Sequence, residues 1–270
     1  MSSQTKQTRL SVSALARMKK ESEKIACLTA YDAAFARLED EAGVDIILVG
    51  DSVGMVVQGH DTTVPVTMDD MVYHTRLVAR GCRRAFLMAD LPFMSFTNVD
   101  QALDNSARLM QEAGAQMVKL EAGADQLEIM ERLSMHGVPI CAHLGLQPQS
   151  IHKLGGYKVQ GRDEKSASAL LKESHVLEES GADILLLECV PARLAEEITA
   201  NSGIPVIGIG AGQHCDGQIL VLYDILDIAP GKRTRFSKDF LDGQSSIQGA
   251  VKSFVEEVKE KTFPDESHSF

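Results

Sequence analysis

The sequence predicts a single α/β domain of the TIM-type (β/α)8 barrel class, with an additional N-terminal helix. Short apolar runs alternate with helical patterns along the 270-residue chain, and this alternation is typical of a parallel sheet. The runs are continuously apolar, as expected of strands buried on both faces. Four of them end on an acidic residue, at the strand end where such barrels build active sites. These residues are Asp51, Asp90, Glu121 and Glu188.

Seven apolar runs predict seven strands of the barrel. They cover residues 25–30, 45–50, 85–90, 117–121, 139–144, 184–189 and 205–210. An eighth strand is expected within 217–224, which follows the seventh so closely that no full helix fits between them. The helical patterns that separate the earlier strands end at Gly43, Gly114 and Gly181, and glycine suits a left-handed C-cap. Eight strands favour a closed barrel.

The segments outside this alternation have their own signals. Residues 1–10 are rich in Ser, Thr and Lys and are expected to be mobile, whereas 10–24 predicts a weakly amphipathic helix that covers one end of the barrel. Two long stretches, 52–81 and 145–162, follow the carboxyl ends of strands, where long loops commonly bind ligands. A final helix within 245–260 precedes a polar tail. No linker or second domain is indicated, so the barrel should span 1–270.

Composition excludes several classes of function. The chain has 38 acidic and 27 basic residues and a net charge of −11, without the basic patch of a nucleic-acid-binding protein. No apolar stretch approaches the roughly 18 residues of a membrane span, and the N-terminus lacks the apolar region of a secretory signal. The five cysteines show no CxxC spacing, which favours a reduced, cytoplasmic protein without a structural zinc site.

Three of the strand-end acids predict a metal site. Asp51, Asp90 and Glu121 should meet at one mouth of the barrel with few basic residues nearby, which favours a hard divalent cation such as Mg²⁺. Two direct carboxylates, with a third acting through water, would leave positions open for a bidentate ligand. Alternatively, each acid simply caps the helix that follows it.

Three further residues are candidates for substrate binding and proton transfer. Lys119 lies two residues before Glu121 and faces the same side, so it either neutralises the acids or binds a substrate carboxylate. Glu188 has no cationic neighbour in sequence, and a raised pKa would suit a general base; alternatively it is a helix cap. His143 is either a proton carrier or a satisfied core histidine.

Long ordered motifs resemble one known family, the 3-methyl-2-oxobutanoate (ketopantoate) hydroxymethyltransferases. The motifs are TAYD (29–32), VGDSVGMVVQGHDTTVPVTMDDMVYHT (49–75), ADLPFMS (89–95), VKLEAG (118–123), AHLGLQPQS (142–150), GGYKVQGR (155–162), LLLECVP (185–191) and IGIGAGQHCDGQILVLYD (207–224). The resemblance implies a barrel of the phosphoenolpyruvate/pyruvate-binding kind. Within the last motif, Gln213, His214 and Cys215 vary in the family and are assigned no role.

The resemblance also implies residue roles and a reaction. Asp51 and Asp90 would bind one Mg²⁺ per subunit, Glu121 would complete that site, and Glu188 would accept a proton. The residues implied to hold the 2-oxoacid are Asp51, Ser52, Asp90, Lys119 and His143. The implied reaction transfers a hydroxymethyl group from 5,10-methylenetetrahydrofolate to 3-methyl-2-oxobutanoate, giving 2-dehydropantoate in the first step of pantothenate synthesis. A cytoplasmic homodecamer is implied as well.

Two other functions fit parts of the pattern. One is a magnesium-dependent carbon–carbon lyase or mutase on the same barrel. Relatives of that kind are similar in carrying a cysteine-bearing KKCGH-type loop, which is absent from this sequence. They would also need more basic residues at the mouth of the barrel. The other is a non-catalytic small-molecule-binding barrel, in which Glu188 would have no role. Proton exchange of a 2-oxoacid substrate separates the enzyme from the binding protein.

Overall fold

The computed structural model describes residues 8–121, 123, 126–229, 231 and 233–270. Eight parallel strands close into a barrel in chain order, with β8 pairing to β1, which confirms the predicted (β/α)8 class. The strands are β1 Ile25–Thr29, β2 Ile46–Val49, β3 Phe86–Asp90, β4 Met117–Leu120, β5 Ile140–Gly145, β6 Ile184–Glu188, β7 Val206–Ile209 and β8 Gly217–Leu220.

The strands agree closely with the apolar runs. Those from β1 to β4 are buried along their whole length, as the absence of period-2 alternation predicts. The eighth strand, expected within 217–224, occupies the first four residues of that range. No helix separates β7 from β8, whose connecting residues 210–216 all belong to the described part of the chain.

Helices surround the barrel and extend its loops. They are α1 Val12–Lys20, α2 Ala33–Ala42, α3 Val53–Val56, α4 Met68–Gly81, α5 Val99–Ala107, α6 Leu127–Met135, α7 Ile151–Leu154, α8 Glu164–Glu179, α9 Ala192–Asn201, α10 Leu222–Ile225 and α11 Ile247–Lys259. A π-helical turn, Arg108–Glu112, continues α5, and short 3₁₀ helices cover Pro148–Ser150 and Glu266–His268. Gly43, Gly114 and Gly181 end their helical segments at φ +97°, +86° and +98°, as predicted.

The first long stretch, 52–81, is a loop only in part. Its second half is α4, because Thr67 and Asp70 form a capping box: the Thr67 side chain accepts from Asp70 N, and Asp70 accepts from Thr67 N. A threonine followed three residues later by an acid is a recognised start signal for a helix. The loop therefore covers the segment from α3 to Thr67.

The N-terminal helix covers the amino end of the barrel. Leu15 and Met18 of α1 are buried, and Lys19 Nζ lies 2.6 Å from Asp216 Oδ2 just before β8. Leu10 N donates to Arg84 O at 2.8 Å. Residues 1–7 of the segment expected to be mobile lie outside the described residues.

Acidic residues at this amino end accept hydrogen bonds from the first backbone N–H groups of the strands. Asp45, Asp183 and Asp216 each accept a hydrogen bond from a backbone N–H at the start of a neighbouring strand, at 3.1, 2.9 and 2.8 Å. Asp45 also pairs with Arg84 at 2.7 Å and with Lys259 at 2.6 Å. These carboxylates satisfy backbone donors and cations, so they stabilise the barrel at the end opposite its mouth.

Asp45 provides a test of this stabilising role. Asp45→Ala should lower the free energy of unfolding by about 3 kcal/mol, because it leaves two cations and a backbone N–H without their shared partner. Asp45→Asn keeps an acceptor and should cost less. Urea unfolding at fixed protein concentration measures both variants. A loss of turnover by the folded protein without a loss of stability would contradict the assignment.

Candidate active site

The carboxyl ends of the strands surround a cavity of about 920 Å³. All seven residues singled out from the sequence line it. They are Asp51, Ser52, Asp90, Lys119, Glu121, His143 and Glu188. They come from five consecutive strands or the residues directly after them, β2 to β6. The four carboxylates among them are called the acidic cluster below: Asp51, Asp90, Glu121 and Glu188.

Asp51 and Asp90 lie side by side at the ends of β2 and β3. Asp51 N donates to Asp90 Oδ2 at 3.0 Å, and both residues are buried. Gly50 leaves room for the Ser52 side chain, because a Cβ there would lie 2.8 Å from Ser52 Oγ. Ser52 Oγ is in turn 2.8 Å from Tyr31 OH. The turn after β2 thus presents an acid and a hydroxyl to the cavity.

Lys119, His143 and Glu188 form a row across the next strands. Lys119 Nζ lies 3.1 Å from Asp90 Oδ1 and 3.3 Å from His143 Nδ1. His143 Nε2 lies 3.3 Å from Glu188 Oε2, although not in good hydrogen-bond alignment. Lys119 and His143 therefore lie between Asp90 on one side of the cavity and Glu188 on the other.

Protonation states follow from these contacts. Burial alone would lower the pKa of the Lys119 ammonium group, but the neighbouring carboxylates, first Asp90 and then Glu121, raise it above its usual value. Burial and the charge of Lys119 lower the pKa of His143 well below its usual value. An ammonium group only donates, so Nδ1 of neutral His143 accepts and Nε2 carries the hydrogen that faces Glu188.

Three carboxyl groups of the acidic cluster, those of Asp51, Glu121 and Glu188, have pKa values above their usual range. Burial, followed by the charge of Asp90, raises the pKa of Asp51 to about 7. Burial also raises the pKa of Glu188 to about 7, against the opposing effect of Lys119, and raises that of Glu121 well above its usual value. A carboxyl with a pKa near 7 can take up and release a proton at neutral pH.

The backbone around Glu188 is held from both sides. Leu146 N and Cys189 N form hydrogen bonds that link β6 to its neighbours: Leu146 N donates to Glu188 O at 2.8 Å and Cys189 N to Ile209 O at 2.9 Å. Gly145 allows the first, because it has φ +90° and its Cβ would lie 2.2 Å from Glu188 O. The position of the Glu188 side chain is therefore set by rigid strand ends.

In the part of the chain that the structure describes, no acid of the cluster caps a helix. The residues that precede α3, α5, α6 and α9 are Ser52, Asn98, Gln126 and Pro191, and only Asn98 caps with its side chain. His143 lines the cavity, and its Nδ1 lies 3.3 Å from Lys119 Nζ, so its contacts are compatible with both a proton carrier and a satisfied core histidine. Lys119 does neutralise the cluster through Asp90, and its position in the cavity leaves the substrate-binding role open to it as well.

The oxygen ligands present fit a magnesium ion that keeps several waters. Mg²⁺ is usually held by one or two carboxylates, and Asp51 and Asp90 form such a pair. Buried Asp90 Oδ1 has no contact with a donor other than the ion pair with Lys119, and among the described residues Lys119 is the only buried Lys or Arg beside the acidic cluster. In the described part of the chain no three His, Cys, Asp or Glu side chains are arranged to hold a metal, so a cage built by protein ligands alone is not formed.

The sequence analysis did not identify several residues that lie in the cavity wall or directly behind it. Gln149 Nε2 donates to Asp51 Oδ2 at 2.8 Å, and Gln149 N donates to Glu121 Oε2 at 3.0 Å. Tyr31 is buried behind Ser52, and burial raises the pKa of Asp224, another cavity acid, to about 6. Gln149 and Tyr31 lie within motifs that signalled the family, but neither residue type indicates a role by itself.

The C-terminal segment also reaches the cavity, contrary to its interpretation as a simple polar tail. Phe270 and Phe236 line the cavity with their rings 6.5 Å apart, and Arg235 lies over the Phe270 ring at 5.4 Å. Phe263 is buried against Phe240 and Phe254. These aromatic residues anchor a segment whose other residues are mostly polar.

Comparison with known proteins identifies the family. The model of the ketopantoate hydroxymethyltransferase family matches residues 9–266. The 3-methyl-2-oxobutanoate hydroxymethyltransferase of Alkalilimnicola ehrlichii is 58% identical, covering 97% of this chain and 94% of that protein. The chain belongs to the ketopantoate hydroxymethyltransferase family. The enzyme of the same name from Nitrosococcus oceani is 56% identical, covering 95% of this chain and 97% of that protein. The chain is therefore an enzyme of the hydroxymethyltransferase class.

Solved structures of other families share the fold of this hydroxymethyltransferase-family chain. A phosphonopyruvate hydrolase complexed with oxalate and Mg²⁺ superposes with a TM-score of 0.60 at 13% identity, covering 78% of this chain and 80% of that one. A 2,3-dimethylmalate lyase of the PEP mutase/isocitrate lyase superfamily gives 0.56 at 16% identity, covering 77% and 80%. They confirm the expected kind of barrel. Among the described residues, no helix is long and apolar enough to cross a membrane.

The raised pKa of Glu188 predicts a gain in stability when its charge is removed. The pKa of this carboxyl in the folded chain, about 7, exceeds its usual value of 4.5. The free energy of unfolding therefore falls as pH rises between these values. In metal-free buffer at pH 8, Glu188→Gln should stabilise the protein by about 2 kcal/mol, seen as a higher melting temperature.

The same variant at pH 5 is the control for this prediction. There the Glu188 carboxyl is already protonated in the folded protein, so the melting temperatures of variant and parent should nearly coincide. An equal change at both pH values would show that packing, and not charge, causes the effect.

Proposed function

We propose that this chain transfers a hydroxymethyl group from 5,10-methylenetetrahydrofolate to 3-methyl-2-oxobutanoate, forming 2-dehydropantoate and tetrahydrofolate in the first step of pantothenate synthesis. One observation carries the proposal: a buried aspartate pair suited to a chelated 2-oxoacid shares a cavity with a buried glutamate of raised pKa. The names of the relatives, at 51–58% identity, support the same substrate and product.

The aspartate side of the cavity would bind the 2-oxoacid. Asp51 and Asp90 would hold Mg²⁺, with Glu121 acting through water. The ion, when bound, would polarise the keto group and stabilise the charge of an enolate. Lys119 and the Ser52 hydroxyl are a cation and a donor beside that pair, so they would bind and orient the carboxylate of the substrate.

Glu188 would remove the proton from C3 of 3-methyl-2-oxobutanoate. Its carboxylate lies across the cavity from the aspartates, and a pKa of about 7 balances readiness to accept the proton against availability of the charged form. Nε2 of neutral His143 carries the hydrogen and lies 3.3 Å from Glu188 Oε2, outside hydrogen-bond alignment, so a small rotation of the Glu188 side chain would let it donate to the carboxylate. Because Lys119 fixes this tautomer, His143 orients the base and does not compete with it.

The enolate carbon would then form a bond to the one-carbon unit of the folate. Both bonds from the carbon of the one-carbon unit to the folate nitrogens would break, and water would supply its hydroxyl group. The two nitrogens would take up one proton from that water and the one that Glu188 removed. A cavity of about 920 Å³ exceeds the needs of a five-carbon acid and leaves room for a second, larger reactant. The apolar and aromatic wall of Tyr157, Phe236 and Phe270 suits a flat ring system.

The remaining parts of the proposal rest on family resemblance. They are a homodecameric assembly, one Mg²⁺ per subunit and a cytoplasmic location. The five cysteines support the last, since all of them are free and buried, as suits a protein of a reducing compartment.

Proton exchange tests the assignment of Glu188. Glu188→Gln should reduce exchange of the C3 hydrogen of 3-methyl-2-oxobutanoate in deuterated buffer by at least 100-fold, because an amide cannot accept the proton. Proton NMR follows the exchange without folate. Affinity for Mn²⁺ should stay within about three-fold of the parent, which shows that the metal site is intact.

Asp224→Asn distinguishes Glu188 from Asp224, a cavity acid of raised pKa that does not belong to the acidic cluster. If Glu188 is the base, Asp224→Asn retains most of the exchange. Loss of exchange in Asp224→Asn with undiminished exchange in Glu188→Gln would reject the assignment. Release of a different 2-oxoacid without any folate would instead favour a lyase.

Metal removal gives an independent prediction. Treatment with EDTA followed by dialysis should abolish both proton exchange and formation of 2-dehydropantoate, and added Mg²⁺ should restore both. Ca²⁺, which prefers longer bonds and more ligands, should restore less. Full exchange in the metal-free protein would contradict the role assigned to Asp51 and Asp90.

A further inference from the structure

We infer that Gln149 is a positioning residue for the acidic cluster, an inference that rests on the function proposed above. Its side-chain Nε2 donates to Asp51 Oδ2 at 2.8 Å and to Leu91 O at 2.9 Å, and its backbone N donates to Glu121 Oε2 at 3.0 Å. One residue therefore contacts two acids and the backbone beside a third, Asp90.

The orientation of the Gln149 amide is determined by its partners. A carboxylate oxygen and a carbonyl oxygen both accept, so the group between them must be NH₂ and not the amide oxygen. Both hydrogens of this NH₂ are then engaged. Gln149 is only 5% exposed, so water competes little for these bonds, and the amide holds a single orientation.

This arrangement sets the rotation of the Asp51 carboxylate. Oδ2 is engaged by Gln149, whereas Oδ1 takes no part in that bond and is the oxygen left for a cation or substrate. A carboxylate held in this way binds through one oxygen in a defined direction, which suits the strict geometry of Mg²⁺. A free carboxylate would first have to give up its rotational freedom.

The position of Gln149 also connects the acids to the loop after β5. It lies in the 3₁₀ helix Pro148–Ser150, and the same loop continues to Tyr157 and Arg162 on the cavity wall. Three hydrogen bonds of Gln149 therefore link the loop to the ends of β2, β3 and β4. This connection explains why a residue on a loop can affect acids on three other strands.

The test replaces the amide by an apolar side chain of similar length. Gln149→Met keeps the backbone bond to Glu121 but removes both side-chain bonds, so it should weaken Mn²⁺ binding about ten-fold, measured by electron paramagnetic resonance at fixed pH. The value of kcat should fall more than the KM for the 2-oxoacid rises, because the direction of the ligand matters most in the transition state.

Gln147→Met is the matched control. Gln147 lies in the same loop, and its Nε2 donates to a backbone oxygen, that of His143, at 3.0 Å. It should lose a comparable loop contact yet keep Mn²⁺ affinity within two-fold. Equal weakening by both substitutions would show that Gln149 only fastens the loop and would overturn the inference.

Gln149→Asn provides a second variant in case the methionine disturbs folding. It keeps the amide one methylene short of its partners, so Mn²⁺ affinity should fall at least three-fold in a protein with parental circular dichroism. Unchanged affinity, or no Mn²⁺ binding by the parent, would overturn the inference. Loss of affinity in a protein that carries out no proton exchange would instead refute the proposed function while the positioning role stands.

Discussion

The ammonium group of Lys119 is the charge on which the rest of the site depends. It is the only buried Lys or Arg side chain among the described residues, and it lies 3.1 Å from Asp90 Oδ1. Without it, the carboxylates of the acidic cluster would repel one another where water cannot screen them. Because it also makes His143 Nδ1 an acceptor, it directs Nε2–H toward Glu188. One cation thus organises both the binding side and the proton-transfer side of the cavity.

The two ends of the barrel use acidic residues in opposite ways. At the amino end, Asp45, Asp183 and Asp216 accept from strand backbones, and Asp45 and Asp216 also pair with cations. At the carboxyl end, the cluster acids share one buried lysine, and the pKa values of Asp51, Glu121 and Glu188 are raised. The paired acids at the amino end stabilise the fold, whereas the buried acids at the carboxyl end cost stability. This is the expected division where a fold departs from local rules for the sake of function.

Much of this architecture was predictable because it depends on local pattern. Continuous apolar runs identify strands buried on both faces, glycines mark the helix ends, and an acid directly after a parallel strand must lie at the common mouth. These rules placed Asp51, Asp90 and Glu188 in one cavity without a contact map. The capping box of Thr67 is a local signal as well, but it was not used, so the stretch 52–81 was predicted as a long loop although its second half is α4.

The residues that were missed have roles made by contacts distant in sequence. Gln149 reaches Asp51 across 98 positions, and nothing in its neighbourhood indicates that its amide would meet a carboxylate. Phe270 lines the cavity only because the C-terminal segment folds back over the barrel mouth, where it packs on Phe236. Long-range pairing of this kind has no periodicity in the sequence, so motif spacing cannot reveal it.

The sequence by itself determined the barrel, the order of its strands, the family and the set of acids at its mouth, because each depends on residue type and spacing along one element. Tertiary structure alone decided the tautomer of His143, the engagement of Asp51 by Gln149 and the raised pKa of Glu188. Those properties depend on distances of about 3 Å between side chains of different strands and on the exclusion of water around them. Neither quantity exists until the barrel has closed.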